Sequence, residues 1–150
     1  MCTIKPNFFG RIAWFFDIFM WPIRNTKKYA KAILSTANLK HLERKDKRIL
    51  DIGGGTGSIA KHFIPYAKQI AVLDPSKEML KQIKHSEIEK IQGMVQETKF
   101  KRNHFDLIYC VDSFHHFTNG HTRIDYDKTT KRAITNILSA LKKEGVLVII

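Results

Sequence analysis

Cysteine is nearly absent, with Cys2 and Cys110 the two in 150 residues. That excludes a disulfide framework, and without a recognisable signal peptide the pair suits a reducing cytoplasm. Cys110 lies in an apolar run and reads as a small core residue. Acids are scarce as well: 14 Asp and Glu stand against 26 Lys and Arg, a net charge of +12. The excess is uneven, because residues 1–50 carry eleven bases against three acids and residues 51–150 fifteen against eleven. Such a balance suits a nucleic acid, an anionic lipid surface or an acidic substrate, or simply a soluble, lysine-rich surface. No H-x-x-x-H or C-x-x-C spacing is present, so the sequence offers no metal site. No apolar run is long enough to span a bilayer. The nearest, "FFGRIAWFFDIFMWPI" (Phe8 to Ile23), has sixteen residues, is interrupted by Arg11 and Asp17, and lacks a cleavage site.

What that segment does have is helical spacing. Ile12, Phe15, Phe16, Phe19, Met20 and Ile23 share one face, and Pro22 limits the far end. It reads as an amphipathic helix packed on the domain. The functional readings are a lid over an apolar substrate, or a helix on a membrane surface with Arg24, Lys27, Lys28 and Lys31 near lipid head groups.

Beyond it, helical and apolar segments alternate. Residues 26–43 read as a second helix. "ILDI" (Ile49 to Ile52) is a short buried strand, and "SIAKHFIPYA" a helix. "QIAVLD" (Gln69 to Asp74) is the second strand, followed by a helix with Pro75 in its first turn. A third strand falls within Ile88 to Val95 and a fourth at Phe105 to Asp112. Residues 118–130 read as a loop, and "KTTKRAITNILSALKKEG" as a helix capped by Gly145. "VLVII" is the fifth strand. Strands alternating with helices imply a parallel α/β sheet, and unbroken apolar strands imply helices on both faces.

Directly after the first strand stands "GGGTG" (Gly53 to Gly57), at the place where open α/β sheets bind ligands. A dinucleotide needs G-x-G-x-x-G, but the third position after Gly53 and Gly55 is Ser58. A triphosphate loop needs Gly-Lys-Ser/Thr, which is missing. The spacing that fits is D-x-G-x-G-x-G: Asp51, Gly53, Gly55, Gly57.

This pattern resembles motif I of the class I S-adenosylmethionine-dependent methyltransferases. "AVLDPSKEML", "FDLIYCVDSFHHF" and "ILSALKKEGVLVII" resemble further segments of that family in order. "FFGRIAWFFDIFM" and the Thr56-containing loop are similar to the ubiquinone/menaquinone-biosynthesis C-methyltransferases and their type 11 relatives. The resemblance covers nearly the whole chain. It implies a three-layer Rossmann-like sheet, mostly parallel. Residues 1–48 would form a helical segment on the lid or substrate side, and residues 49–150 the cofactor-binding core. It implies S-adenosyl-L-methionine as cofactor, with Gly53, Gly55, Thr56 and Gly57 against its amino-acid part and Asp51 pairing with its ammonium. Asp74 would take both ribose hydroxyls, and Pro75, Met79, Met94 and Val95 would lie by the adenine. Val111 and Asp112, at the end of the fourth strand, would border the cofactor or substrate.

His115 and His116 follow that strand and are the candidates for a general base, or else loop residues that pack or cap the next helix. The acceptor would be a small molecule, apolar or quinone-like. "DSFHHF" argues against nucleobase amino methylation, so RNA stands as the weaker option. Two departures matter. Met94 replaces the acid that in relatives contacts the adenine amino group, with Gln96 or Glu97 as substitutes. The family's final β-hairpin is absent, which leaves the fifth strand to pair with another chain or a second copy and favours, as the alternative, a binding module or fragment. The expected setting is cytoplasmic, with contact to a membrane surface through the N-terminal helix as the variant.

Overall fold

The computed structural model describes residues 25–37, 45–113 and 123–150. The amphipathic segment Phe8 to Ile23 and the candidate bases His115 and His116 lie outside the described residues.

Five strands form one parallel sheet: β1 (Lys47–Ile52), β2 (Ala67–Asp74), β3 (Ile88–Gln92), β4 (Phe105–Cys110) and β5 (Leu141–Ile149). The order across the sheet is β3-β2-β1-β4-β5. The chain therefore builds outward from β1 in one direction, then returns to β1's other side with β4. The reversal opens a crevice at the carboxyl ends of β1 and β4.

Alternation along each strand divides the core in two. Ile49, Ile70, Val72, Leu107, Tyr109 and Val148 face one cluster, while Leu50, Ala71, Leu73, Ile108 and Cys110 face the other. Both faces are buried along most of β1, β2 and β4, which explains their apolar runs, while β3 at the sheet edge exposes Glu89, Lys90 and Gln92. Helix α1 (Thr26–Thr36) covers the first face with Ala30, Ile33 and Leu34, spaced for one side of a helix. Asn25 caps it by accepting from the Lys28 amide at 3.0 Å. Helix α3 (Arg123–Ala140) covers the second face with Ala133, Ile137 and Ala140. This is the three-layer Rossmann-like α/β architecture expected from the sequence.

Several helical expectations are corrected. The segment after the glycines forms only a 3-10 helix, Ala60–Phe63, because Pro65 and the start of β2 at Ala67 leave no room for a longer one. Helix α2 (Lys77–Lys81) begins after Pro75 rather than with it. Ser76 is its cap, held extended, and accepts from the Met79 amide at 3.3 Å. Helix α3 starts at Arg123, inside the stretch expected to be a loop, and stops at Ala140. Gly145 is accordingly no helix cap. It lies within β5, where the register steps from Phe105–Leu141 to Leu107–Val146 and the chain between loops outward. Beyond Ala140 the backbone instead pairs with β4, Leu141 opposite Phe105, and the Lys142 ammonium bonds the Asp106 carboxylate at 2.6 Å at the start of β4. That contact, with the Arg48 amide, holds Asp106 below the usual carboxylate range despite its partial burial. Among the described residues no helix is long and apolar enough to cross a membrane.

Core position should dominate stability here. Leu107, fully buried on β4, should cost about 2–5 kcal/mol when cut to Ala. Leu138, 56% exposed on α3, should change stability by less than about 0.5 kcal/mol. Urea denaturation of the two variants measures both.

Candidate functional site

The crevice is built around two carboxylates. Asp51 ends the apolar run of β1, yet its side chain is 2% exposed. It lies on the same side of the sheet as Tyr109, directly across the β1–β4 pairing. The Tyr109 hydroxyl donates to Asp51 Oδ2 at 2.9 Å. The glycine loop then folds down on this carboxylate, since a Cβ at Gly54 would collide with it.

The other glycines show the same tight fit. Gly53, Gly55 and Gly57 all have positive φ, near 71°, 55° and 69°, which side chains other than glycine rarely adopt. A Cβ on Gly53 would strike the Ser113 side chain, and one on Gly55 would come within 3.0 Å of the Met79 methyl. The loop is wedged between β1, β4 and α2. Its glycines are required by the protein's own packing, whatever binds above them.

Asp74 ends β2 and is the second carboxylate, 9% exposed. Its Oδ2 accepts from the Gly55 amide at 3.0 Å, and its Oδ1 from the Ser76 amide at 2.8 Å. One side chain thus ties the glycine loop to the entry of α2. Burial raises the Asp74 pKa above the ordinary 3.8, and the two amide bonds oppose that rise without cancelling it. Each carboxylate oxygen keeps a second lone pair for a hydroxyl donor.

The expected site residues divide as follows. Asp51, the loop from Gly53 to Gly57 with Thr56, Asp74 and Met79 come together in the crevice. Pro75 is exposed beside them. Met94 follows β3 next to Asp74, whose carbonyl accepts from the Gly93 amide at 3.1 Å. The Met94 carbonyl accepts from the Glu97 and Thr98 amides in a tight turn, and Met94 Sδ receives Gln96 Nε2 at 3.6 Å. The side chains of Val95 and Val111 point into the core, so either residue could meet a ligand only through its backbone. Asp112 is exposed, has φ 51°, and its amide donates to the Ile150 carbonyl at 2.9 Å.

Two residues were not singled out from the sequence. Tyr109 is one. The other is Ser113, whose hydroxyl donates to the Ile52 carbonyl at 2.8 Å and lies 2.9 Å from Cys110 Sγ. Ser113 pins the loop after β4 to the start of the glycine loop. Burial pushes the Cys110 thiol pKa up, consistent with a core residue. The available signal was parity: Asp51 and Tyr109 fall on the same face once β1 and β4 are paired.

The donor set decides what can bind. From Ile49 to Ala60 there is no Lys or Arg, while Asp51 and Asp74 both face the loop. The loop itself therefore offers a phosphate no cation, and Asp74 beside it offers acceptors to a vicinal diol. Among the described residues no group of His, Cys, Asp and Glu could hold a metal ion.

A glycine loop at the switch point, with a carboxylate ending the second strand, defines a Rossmann-like class I methyltransferase architecture. The family model for "Methyltransferase domain", type 11, matches residues 50–149, and the chain belongs to that family. It is similar to YcgJ of Bacillus subtilis, described as an uncharacterized methyltransferase, with 29% identity over 109 residues, covering 68% of this chain and 39% of YcgJ. The crystal structure of YcgJ aligns with a TM-score of 0.64 at 24% identity, over 79% of this chain and 49% of that one. The sugar N-methyltransferase KedS8 from Streptoalloteichus aligns at 0.72 with 20% identity, over 89% and 52%. A protein from Methanococcus maripaludis, described as a putative S-adenosyl-L-methionine-dependent methyltransferase, aligns at 0.68 with 19% identity, over 99% and 64%. At these identities the structural likeness establishes the fold. The chain spans less than two thirds of the length of each of these relatives.

The packing has two measurable consequences. Gly53→Ala should destabilise the protein by about 1–3 kcal/mol, through positive φ and collision with Ser113. Thermal melts of Gly53→Ala in the native and in a Ser113→Gly background separate the two causes, since only loss of the Ser113 Cβ removes the collision. In a carboxyl-carbon NMR titration, Asp74 should titrate above 3.8. With a raised folded value, its contribution to stability is present below the unfolded pKa and lost as pH rises through the folded one.

Proposed function

We propose that this chain binds S-adenosyl-L-methionine in the crevice and serves transfer of its methyl group to a small-molecule acceptor. The observation that carries the reading is the hydrogen bond from the Gly55 amide to Asp74 Oδ2, which sets a glycine loop and a ribose-type acceptor side by side. Asp74 would accept from the ribose hydroxyls. The glycine loop and Asp51 would take the amino-acid end. The backbone around Met94 and Val95, with Met79, would border the adenine. When bound, the cofactor supplies an electrophilic methyl on a sulfonium.

The chain's own contribution is placement and exclusion of water around that methyl. We assign proton removal from the acceptor to His115 or His116, which follow β4 on the crevice side in sequence. The segment 1–48 would form the acceptor side of the site. In support, α1 already buries its apolar face on the sheet cluster that contains Tyr109. The aromatic residues of Phe8 to Ile23 favour an apolar, quinone-like acceptor.

Calorimetry tests the reading. The intact protein should bind S-adenosylmethionine and its demethylated product S-adenosylhomocysteine. Asp74→Ala should weaken both by roughly tenfold or more, as loss of a charged acceptor implies. No binding by the intact protein, whatever the state of Asp74, sinks the proposal. Radiolabel transfer to quinone-like phenols, compared with transfer to total RNA, then discriminates the acceptor class.

A further inference from the structure

Tyr109 has a hydroxyl that a core position does not need. Its ring is fully buried and stacks on Phe63, with centroids 5.0 Å apart. Phenylalanine would fill that space equally well. The hydroxyl nevertheless reaches 2.9 Å to Asp51 Oδ2, beneath the glycine loop. Burial and the neighbouring carboxylate push the Tyr109 pKa well above its ordinary 10.0, so the phenol keeps its proton and can only donate to Asp51.

The geometry constrains Asp51 from two sides. Gly54 presses on the carboxylate from the loop, and Tyr109 holds one of its oxygens from β4. A carboxylate so held cannot rotate freely. Its placement therefore depends on β4, although its backbone belongs to β1. We infer that Tyr109 is a positioning residue, holding the Asp51 carboxylate in the orientation that recognises the ammonium of the ligand's amino-acid end. The inference rests on the S-adenosylmethionine reading and goes beyond it, because it assigns recognition of one end of the ligand to a tyrosine on a different strand.

The test uses two ligands that share a nucleoside. S-adenosylhomocysteine carries the ammonium-bearing tail, and methylthioadenosine lacks it. Calorimetry on the full chain should show Tyr109→Phe weakening S-adenosylhomocysteine by roughly tenfold, as loss of a hydrogen bond to a charged group implies, with methylthioadenosine changed by less than about twofold. Asp51→Asn, which leaves the ring packing intact, should likewise reduce the preference for S-adenosylhomocysteine. Adding Tyr109→Phe to it should cost little more, since the two residues act as one unit.

Equal weakening of both ligands by Tyr109→Phe would show a packing role and overturn the inference. So would unchanged affinity for both, or a ligand preference that survives Asp51→Asn. If the intact protein binds neither ligand, the S-adenosylmethionine reading itself falls and takes this inference with it. If it binds both and only the tyrosine result fails, that reading stands alone.

Discussion

A carboxylate buried at the end of β1 sets the terms for everything around it. Asp51 is 2% exposed, and a buried charge is tolerated only when it is well partnered. The partner from β4 is Tyr109, so β1 and β4 must be neighbours in the register that faces Asp51 with Tyr109. The loop must then close over the carboxylate without side chains of its own, and Gly54 meets that demand. Because the loop lies so low, its Gly55 amide reaches Asp74 on β2. One buried group thus couples three adjacent strands at their carboxyl ends, where the strand order reverses.

The glycines take on a different meaning once that coupling is seen. Four glycines in five residues suggest close approach by a ligand. In the folded chain, the Cβ positions of Gly53, Gly54 and Gly55 are already occupied by Ser113, Asp51 and Met79. The loop is first a packing solution. On the proposed function, ligand recognition would be built on it, through the backbone amides and the two carboxylates that it brings together.

Much of this was legible in the residues, and the failures have physical causes. The central strands β1, β2 and β4 stand out as apolar runs because both their faces are covered, and the order of motifs puts Asp51 in β1, the glycine loop after it and Asp74 at the end of β2. Helix limits were harder to read. Helix α3 gives way at Ala140 to pairing with β4, Leu141 opposite Phe105 and Lys142 bonded to Asp106, contacts between residues 36 apart in sequence that have no local signature. The short helix after the glycines is cut by Pro65 and by the demand of β2 to begin at once. Tyr109 and Ser113 escaped notice for a related reason. Each acts across a strand pairing, on Asp51 58 residues away and on Ile52 61 residues away. Local spacing reveals residues that share a loop, whereas a partner across the sheet appears only when the register is known.

The distribution of charge over the fold separates the site from the rest of the surface. The protein is strongly basic, and several of its bases stand at the amino ends of strands: Lys47 and Arg48 start β1, Lys68 is the second residue of β2, and Lys142 the second of β5. His104, just before β4, registers this directly. Burial lowers its pKa first, then Arg48, Lys101 and Lys142 lower it further. The carboxyl ends carry Asp51 and Asp74 instead, with no base in the loop between Ile49 and Ala60. A cationic ligand is repelled by the molecule's net charge at long range, but that field is screened within about 8 Å at physiological salt. At short range Asp74, beside the loop, acts with little screening, while Asp51 lies beneath Gly54 and acts through the loop it holds. The opposing ends of one parallel sheet therefore differ in charge within a chain of net charge +12, and on the S-adenosylmethionine reading the acidic end is where a sulfonium-and-ammonium ligand would be drawn.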